Sequence, residues 1–155
     1  MLYLIFMIAI LMLSACVPAS TSVGGCPTTS PSIGSQFTVA LSANVGSAAL
    51  GAYSVTFMYD TRYVTVASVQ GGTTSEFSSA PSSNSNSFAT GSSRIASKQT
   101  ANSNGPTGSV GIARVTLNVV GAGSTTLGIV TNSLYNPNSQ PIAFGGTSGC
   151  SFTSH

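Results

Sequence analysis

Few side chains in this sequence could perform acid–base, nucleophilic or metal chemistry. The 155 residues include two carboxylates, Asp60 and Glu76, and one imidazole, His155, at the last position. Glycoside hydrolysis usually needs two carboxylates flanking the sugar, and the only available pair contains Asp60, which we expect in a turn. A catalytic triad would need His155 as its base. Ser97 and Lys98 are neighbours on a predicted strand and so point to opposite faces. We therefore expect no enzymatic activity.

The low charge of the chain excludes further classes of function. Four Lys and Arg residues against two acidic residues give a net charge of +2, and only 4% of the chain is charged. A metal site needs several His, Cys, Asp or Glu ligands, and nucleic-acid binding needs clustered cations. We expect no cofactor, no metal ion and no nucleic-acid partner.

The chain begins with an almost entirely apolar run, MLYLIFMIAILML. About a dozen residues are too few to cross a bilayer, which takes roughly 20, and such a run is typical of an export signal. It ends in Leu13-Ser14-Ala15-Cys16, which resembles the lipobox of bacterial lipoproteins. The resemblance implies that residues 1–15 are a signal peptide and that Cys16 carries the lipid. An ordinary cysteine near a cleaved signal is the alternative.

A lipidated Cys16 would place the protein in the cell envelope, in contact with the membrane only through the anchor. No Asp follows Cys16, so the outer membrane or the cell surface is the expected location. The other two cysteines, Cys26 and Cys150, would then form an even pair in an oxidising compartment. A disulfide between them would stabilise the fold by roughly 4 to 5 kcal/mol on the chain-entropy model. Two free thiols are the alternative.

Composition divides the exported chain into three parts. Residues 16–34 are rich in Pro, Ser, Thr and Gly, which predicts a flexible tether. Residues 35–145 contain short alternating segments separated by Gly, Asn and Ser turns, and form the predicted domain. Residues 146–155 are expected to be a C-terminal tail, which the disulfide would tie to the tether.

Alternation is clearest at residues 51–59, where Tyr53, Val55, Phe57 and Tyr59 share the inward face. A second strong pattern predicts that Val115, Leu117 and Val119 also face inward. Further strands are expected at residues 37–41, 63–69, 94–98, 110–120, 125–130 and 134–144.

Residues 71–93 are expected to form loops with one or two short strands, pinned by Phe77 and Phe88. No segment after the apolar run shows a helical period. Eight or nine short strands at this spacing indicate an all-β antiparallel β-sandwich.

Several motifs follow one another in order along residues 33–144. They are IGSQFTV (33–39), LGAYSVTFMYD (50–60), YVTVASV (63–69), a strand at 111–120, and GSTTL (123–127). This order resembles that of cohesin domains, and its most specific piece is the strand ending in Tyr59-Asp60 followed by a turn. The resemblance implies a nine-stranded jelly-roll, similar in fold to some carbohydrate-binding modules. We expect Asp60 to accept backbone hydrogen bonds in the turn through Thr61 and Arg62.

Cohesins bind dockerins, small calcium-loaded helical modules, through a sheet face that includes the strand at residues 52–59. Dockerin-binding cohesins often carry Asn and Asp near the start of that strand, where this chain has Ala52 and Ser54. The resemblance implies a non-catalytic cell-surface binding module for a dockerin-like protein or for a polysaccharide.

The candidate binding face combines hydroxyls, exposed aromatic rings and most of the cations. Tyrosine rings can stack on sugars or partner side chains, and the cations either mark the binding face or serve solubility. The candidates are Ser54, Thr56, Tyr63, Arg94, Lys98, Arg114 and Tyr135. The alternative function is a structural subunit of a surface layer, filament or matrix, because a nearly uncharged surface lets copies pack closely.

Overall fold

The computed structural model describes residues 17–99 and 104–155, which form ten β-strands in two sheets. The apolar run and the lipobox with Cys16 lie outside the described residues. The strands are β1 (Ala19–Gly24), β2 (Gln36–Asn44), β3 (Ala52–Met58), β4 (Val64–Gly71), β5 (Ser82–Ser83), β6 (Ser92–Lys98), β7 (Ser109–Val119), β8 (Gly123–Tyr135), β9 (Phe144–Ser148) and β10 (Cys150–Ser154).

The strands pack as a sandwich. Sheet 1 has the order β4-β7-β2-β1-β9, and sheet 2 has the order β10-β8-β3-β6-β5. Neighbouring strands are antiparallel except for β1 and β9, which are parallel. The predicted all-β sandwich is confirmed, but its strand count is ten and not nine.

Alternation along the strands places the core between the sheets. In β3, Tyr53, Val55 and Phe57 point inward and are buried, and in β7 Val115 and Leu117 do the same. Successive side chains of a strand point to opposite faces, so these inward residues also fix which residues face solvent. The inward faces predicted for these two strands are confirmed.

Residues 16–34 were predicted to be a flexible tether, and this is wrong for β1. Strand β1 hydrogen-bonds to β2 on one side and to β9 on the other. Its inward residues Ala19, Thr21 and Val23 are buried, and the Thr21 hydroxyl forms a 2.8 Å hydrogen bond with the Thr131 hydroxyl of β8. A polar residue is stable inside the sandwich when its hydroxyl is paired in this way, so a segment with few apolar residues still forms a strand.

The C-terminal residues also belong to the sandwich, so the predicted tail at residues 146–155 is wrong. Strand β9 is an edge of sheet 1, and β10 pairs with β8 at an edge of sheet 2. The chain crosses between the sheets at Gly149, where a Cβ atom would lie 2.2 Å from the carbonyl oxygen of Leu127. Only glycine allows so close an approach.

The predicted strand at residues 134–144 is also wrong. Strand β8 runs without a break to Tyr135, and the chain then turns at Asn136. The Asn136 side chain accepts hydrogen bonds from the backbone amides of Asn138 and Gln140, which is how Asn stabilises a turn.

The segment between β4 and β6 matches its prediction. It contains the two-residue strand β5 and two short 3-10 turns at Ser75–Phe77 and Ser85–Ser87. Phe77 is buried, and its ring lies edge-on to Tyr53 with the centroids 5.4 Å apart. Phe88 is partly buried against the core. The two rings hold an otherwise polar segment on the sandwich.

The predicted disulfide is present. It joins Cys26 and Cys150 across a sequence separation of 124 residues, with the Cα atoms 5.9 Å apart. Cys26 follows β1, and Cys150 begins β10, so the bond ties the first strand of sheet 1 to the last strand of sheet 2.

Replacing Cys26 with Ser should lower the free energy of unfolding by about 2 to 5 kcal/mol, because the unfolded chain loses a long covalent loop. Urea unfolding with and without reductant measures the loss. Cys16→Ser is the matched control, and it should leave the urea midpoint of the oxidised protein unchanged. Equal stability of the oxidised protein and the Cys26→Ser variant would contradict the prediction.

Tyr53 carries a polar contact through the core. Its hydroxyl donates a 2.8 Å hydrogen bond to the carbonyl oxygen of Ile112 in β7, so it joins the two sheets directly. Burial raises the pKa of the Tyr53 phenol far above its usual value, because the ionised form would lose its hydration.

Stability should therefore fall at alkaline pH. The pKa of Tyr53 is raised only in the folded state, so its contribution is constant below about pH 10 and falls above it, as the unfolded phenol ionises. The Tyr53→Phe variant should have a free energy of unfolding about 1 kcal/mol lower at neutral pH. Its stability should also depend less on pH. Urea midpoints between pH 8 and 11 measure both effects, with the exposed Tyr135→Phe as control. An unchanged alkaline slope in Tyr53→Phe would contradict the assignment.

Candidate functional site

The outward side of sheet 2 brings together most of the candidate binding residues. The register places Ala52 between Lys98 and Tyr135, and Thr56 between Arg94 and Val130. We call this surface the sheet 2 face. It consists of Ser54, Thr56 and Met58 of β3, Arg94 and Lys98 of β6, and Val130, Asn132 and Tyr135 of β8.

The polar groups of the sheet 2 face hold one another in place. The Arg94 Nε donates a 2.9 Å hydrogen bond to the Ser54 Oγ, and the Asn132 Nδ2 donates a 2.9 Å bond to the Thr56 Oγ1. Asn132 faces outward like Val130, and a register shift leaves it without a direct β3 partner, between the partners of Ser54 and Val55. These bonds already restrict the side chains, so binding a partner would cost less conformational entropy.

Three large apolar side chains are exposed on the same face. Met58 is 41%, Val130 is 49% and Tyr135 is 39% exposed. Among the described strands of sheet 1, the exposed large apolar residue is Phe144 of edge strand β9, at 42%, and strands β1, β2, β4 and β7 contain none. The sheet 2 face therefore has the mixed apolar and polar character typical of a protein-binding surface.

The opposite face of the sandwich is polar. Its neighbouring strands are linked by side-chain hydrogen bonds, from Gln36 to Asn118 at 2.6 Å and between Thr38 and Thr116 at 2.9 Å. Arg114 lies on this face and donates to the carbonyl oxygen of Gly71 at 3.0 Å.

The charged groups of the sheet 2 face all have the same sign. Arg94 and Lys98 are both exposed there. They lie four residues apart on the same side of β6. Of the two carboxylates in the chain, Asp60 forms an ion pair with Arg62 at 2.6 Å beyond the end of β3. Glu76 accepts a hydrogen bond from Ser75 in the 3-10 turn after β4.

Asp60 has the structural role that its sequence context predicts. Its Oδ1 accepts a 3.0 Å hydrogen bond from the backbone amide of Arg62, and the Arg62 side chain binds both carboxylate oxygens. The hydrogen bonds from Arg62 hold the pKa of the Asp60 carboxyl below its usual value. An exposed carboxylate engaged in this way stabilises the turn between β3 and β4.

A shallow groove lies beside Arg94 at the β5 side of the sheet 2 face. Its volume is about 360 Å³, and it is lined by Ser82, Ser83, Asn84, Arg94 and Ala96. The polar side chains of these residues are hydroxyls, an amide and a guanidinium, each of which can donate a hydrogen bond.

The structure separates the seven predicted face residues. Five of them lie on the sheet 2 face, namely Ser54, Thr56, Arg94, Lys98 and Tyr135. Tyr63 lies at the end of the sandwich, beneath the Arg62 guanidinium at 5.4 Å, and Arg114 lies on sheet 1.

The sequence prediction also missed three members of the face. Met58 shares the outward parity of Ser54 and Thr56, and this alternation could have identified it. Val130 and Asn132 face outward by the alternation of β8, but their position beside Thr56 depends on the β3–β8 pairing, which no local pattern indicates.

The described residues offer no constellation for catalysis. They contain no group of three His, Cys, Asp or Glu residues that could hold a metal ion. The His155 Nε2 lies 3.1 Å from the Ser32 Oγ on an exposed surface, and both carboxylates in the described chain are engaged elsewhere. In this part of the chain no helix has the length and apolarity needed to span a membrane.

No protein-family model matches the chain, and no curated protein matches it. Several solved structures do. A non-cellulosomal cohesin from the hyperthermophilic archaeon Archaeoglobus fulgidus is 16% identical with a TM-score of 0.66, and the match covers 90% of this chain and 92% of that one.

Two cohesins crystallised with dockerins give similar matches. The third ScaC cohesin of Acetivibrio cellulolyticus, in complex with the ScaB dockerin, is 20% identical with a TM-score of 0.66, over 88% of this chain and 98% of that one. The OlpA cohesin of Clostridium thermocellum, in complex with Doc918, is 11% identical with a TM-score of 0.66, over 89% and 99%. The chain therefore has the fold of cohesin modules, as its motifs predicted.

Proposed function

We propose that the protein is a non-catalytic binding module that docks a dockerin-type protein on the sheet 2 face. The observation that carries the proposal is the combination of exposed Met58, Val130 and Tyr135 with hydrogen-bonded polar groups on that face. Solved structures with this fold include cohesins in complex with dockerins. The sequence resemblance associates docking in cohesins with one sheet face. That face includes the strand equivalent to β3.

The exposed apolar residues provide most of the expected binding energy. Burying a side chain such as Val130 or Met58 in an interface stabilises it by about 1.5 to 3 kcal/mol at most. Hydrogen-bonding groups at the centre of the face come from three strands, because Arg94 of β6 binds Ser54 of β3 and the Asn132 amide of β8 binds Thr56 of β3. Asn132 thus supplies an amide close to where Ala52 and Ser54 replace the Asn and Asp of dockerin-binding cohesins.

A display library of calcium-loaded dockerin modules tests this function. The purified protein should recover binders, and Val130→Asp should weaken binding by about 100-fold because it buries an unpaired charge at an apolar contact. Thr38→Asp adds the same charge to sheet 1 and should change the affinity by less than about twofold. Biolayer interferometry measures both.

Recovery of no dockerin, with a known cohesin as positive control, would contradict the proposal. Equal losses in the Val130→Asp and Thr38→Asp variants would show that the sheet 2 face is not the docking surface.

The structure favours docking over the two alternatives. Tyr135 is the only exposed aromatic ring among the residues of the sheet 2 face, whereas a polysaccharide platform would stack several sugar rings. Edge-to-edge assembly is opposed by the two-residue edge strand β5 and by Gly146, which has a positive φ of 86° in edge strand β9. Short or irregular edges resist pairing with another copy. The other two edge strands, β4 and β10, and the polar face of sheet 1 are the surfaces that remain for assembly.

We further propose that the protein is anchored at the outer membrane or cell surface by a lipid on Cys16. Only Val17 and Pro18 separate Cys16 from β1, so the sandwich would lie within roughly 11 Å of the lipidated residue. Ala19 donates to the carbonyl oxygen of Ala143, so with a lipid on Cys16 the loop after β8 would lie at the membrane-proximal end. The sheet 2 face would then extend away from the bilayer, from Tyr135 towards Met58.

Cys16→Ala tests the anchor. The full chain expressed in bacteria should incorporate labelled palmitate and sediment with membranes, because two or more acyl chains anchor a protein stably. The Cys16→Ala variant should lose both properties, whereas Cys26→Ala should keep the label. Labelled Cys16→Ala protein would contradict the proposal.

A further inference from the structure

We infer that the docking partner is acidic and that one of its carboxylates enters the groove beside Arg94. The inference rests on the proposed docking function for the identity of the occupant. Arg94 and Lys98 are the charged residues of the sheet 2 face, and no carboxylate belongs to it. A surface with cations alone selects partners with the opposite charge.

The Arg94 guanidinium is prepared to bind a carboxylate. Its Nε is held by the Ser54 Oγ at 2.9 Å, and Ser54 itself is only 5% exposed. No other nitrogen of Arg94 has a hydrogen-bond partner among the described residues, so its terminal amino groups keep their donors. The planar group can give a carboxylate two parallel hydrogen bonds, and its orientation is already fixed.

The groove supplies the remaining contacts for an anion. Ser82 lies opposite Ala96 and so faces the same side of the sheet as Arg94, and Ser83 and Asn84 complete the lining. The Asn84 Oδ1 already accepts a hydrogen bond from the backbone amide of Asn86, which leaves the Asn84 Nδ2 as a donor. A volume of about 360 Å³ accommodates the end of an Asp or Glu side chain.

Lys98 provides a second position on the face that would attract an acidic residue of the partner. It lies four residues after Arg94 on the same side of β6, which corresponds to about 13 Å along the strand. An α-helix rises about 1.5 Å and turns about 100° per residue, so a partner helix along β6 would match both cations with acids about seven or eight residues apart, which lie near the same face of the helix.

The apolar and charged parts of the face lie on different strands. Val130 and Tyr135 are on β8, whereas Arg94 and Lys98 are on β6, with β3 between them. A partner that fits both parts has an apolar edge and an acidic edge. This asymmetry also fixes which way round the partner docks.

Charge-reversal variants of the full chain test the inference. The probes are the dockerin library and a second library of a three-helix scaffold with randomised surface positions. Binders recovered from either should be enriched in Asp and Glu. Arg94→Glu and Lys98→Glu should each weaken their binding about tenfold or more. Arg114→Glu makes the same charge change on sheet 1 and should have an effect below about twofold.

The salt dependence of binding and further substitutions beside the groove give independent readouts. Raising NaCl from about 50 to about 300 mM should weaken wild-type binding several-fold and affect the Arg94→Glu, Lys98→Glu double variant little. Ser54→Ala removes the acceptor that orients Arg94 and should reduce affinity without changing the charge. Arg94→Gln should give an intermediate loss.

The outcomes separate this inference from the proposed function. If Val130→Asp abolishes binding but Arg94→Glu and Lys98→Glu bind like wild type, docking on the face is supported and the acidic partner is wrong. If acidic scaffold binders depend on Arg94 but no dockerin is recovered, the acidic ligand is supported and the dockerin function is wrong. Binders that carry no excess of acidic residues would overturn the inference.

Discussion

The contact between the inward faces of β3 and β7 determines the arrangement of the other features. Tyr53 of β3 fills the core and binds the carbonyl of Ile112 in β7, while Val55 and Phe57 are fully buried beside it. A shift of β3 by one residue would bury Thr56 and expose Phe57. The packing of the core therefore determines which β3 side chains lie on the sheet 2 face, although the core residues themselves are not exposed there.

The sequence predicts the central strands better than the terminal ones, and the reason lies in their inward residues. Strand β3 places large apolar residues inward, so its period is visible. Strand β1 has Thr21 at its central inward position, and the partner that makes this acceptable, Thr131, is 110 residues away. Strand β9 is exposed along its whole length, and its pairing with β1 is parallel and non-local. No local pattern contains that information.

The candidate site was predictable along strands but not between them. Ser54 and Thr56 follow from the alternation of β3, and the exposure of Arg94 and Lys98 follows from their charge. The extra residue in β8 interrupts its alternation near Asn132, so the strand resembles two shorter segments in the sequence. Val130 and Asn132 precede this irregularity and alternate regularly, so they were missed because their sequence does not show that β8 pairs with β3. Tyr63 and Arg114 were assigned to the face by residue type alone, and residue type does not specify a sheet.

The scarcity of charge gives individual ions more influence on recognition than they have on an ordinary surface. Asp60 and Arg62 neutralise each other in the turn after β3, and this removes one acid and one cation from the long-range field. Arg94 and Lys98 then lie on one side of β6, about 13 Å apart, with no acid on the sheet 2 face, whereas Arg114 lies on the opposite side of the sandwich. The sign of the potential over the sheet 2 face is thus set by two side chains, within a Debye length of about 8 to 10 Å at ordinary salt. The hydroxyls and amides around these two cations are uncharged, so they do not change the sign of this potential. Exchange of either cation would therefore change which partners the face attracts while leaving the core, and so the fold, unaltered.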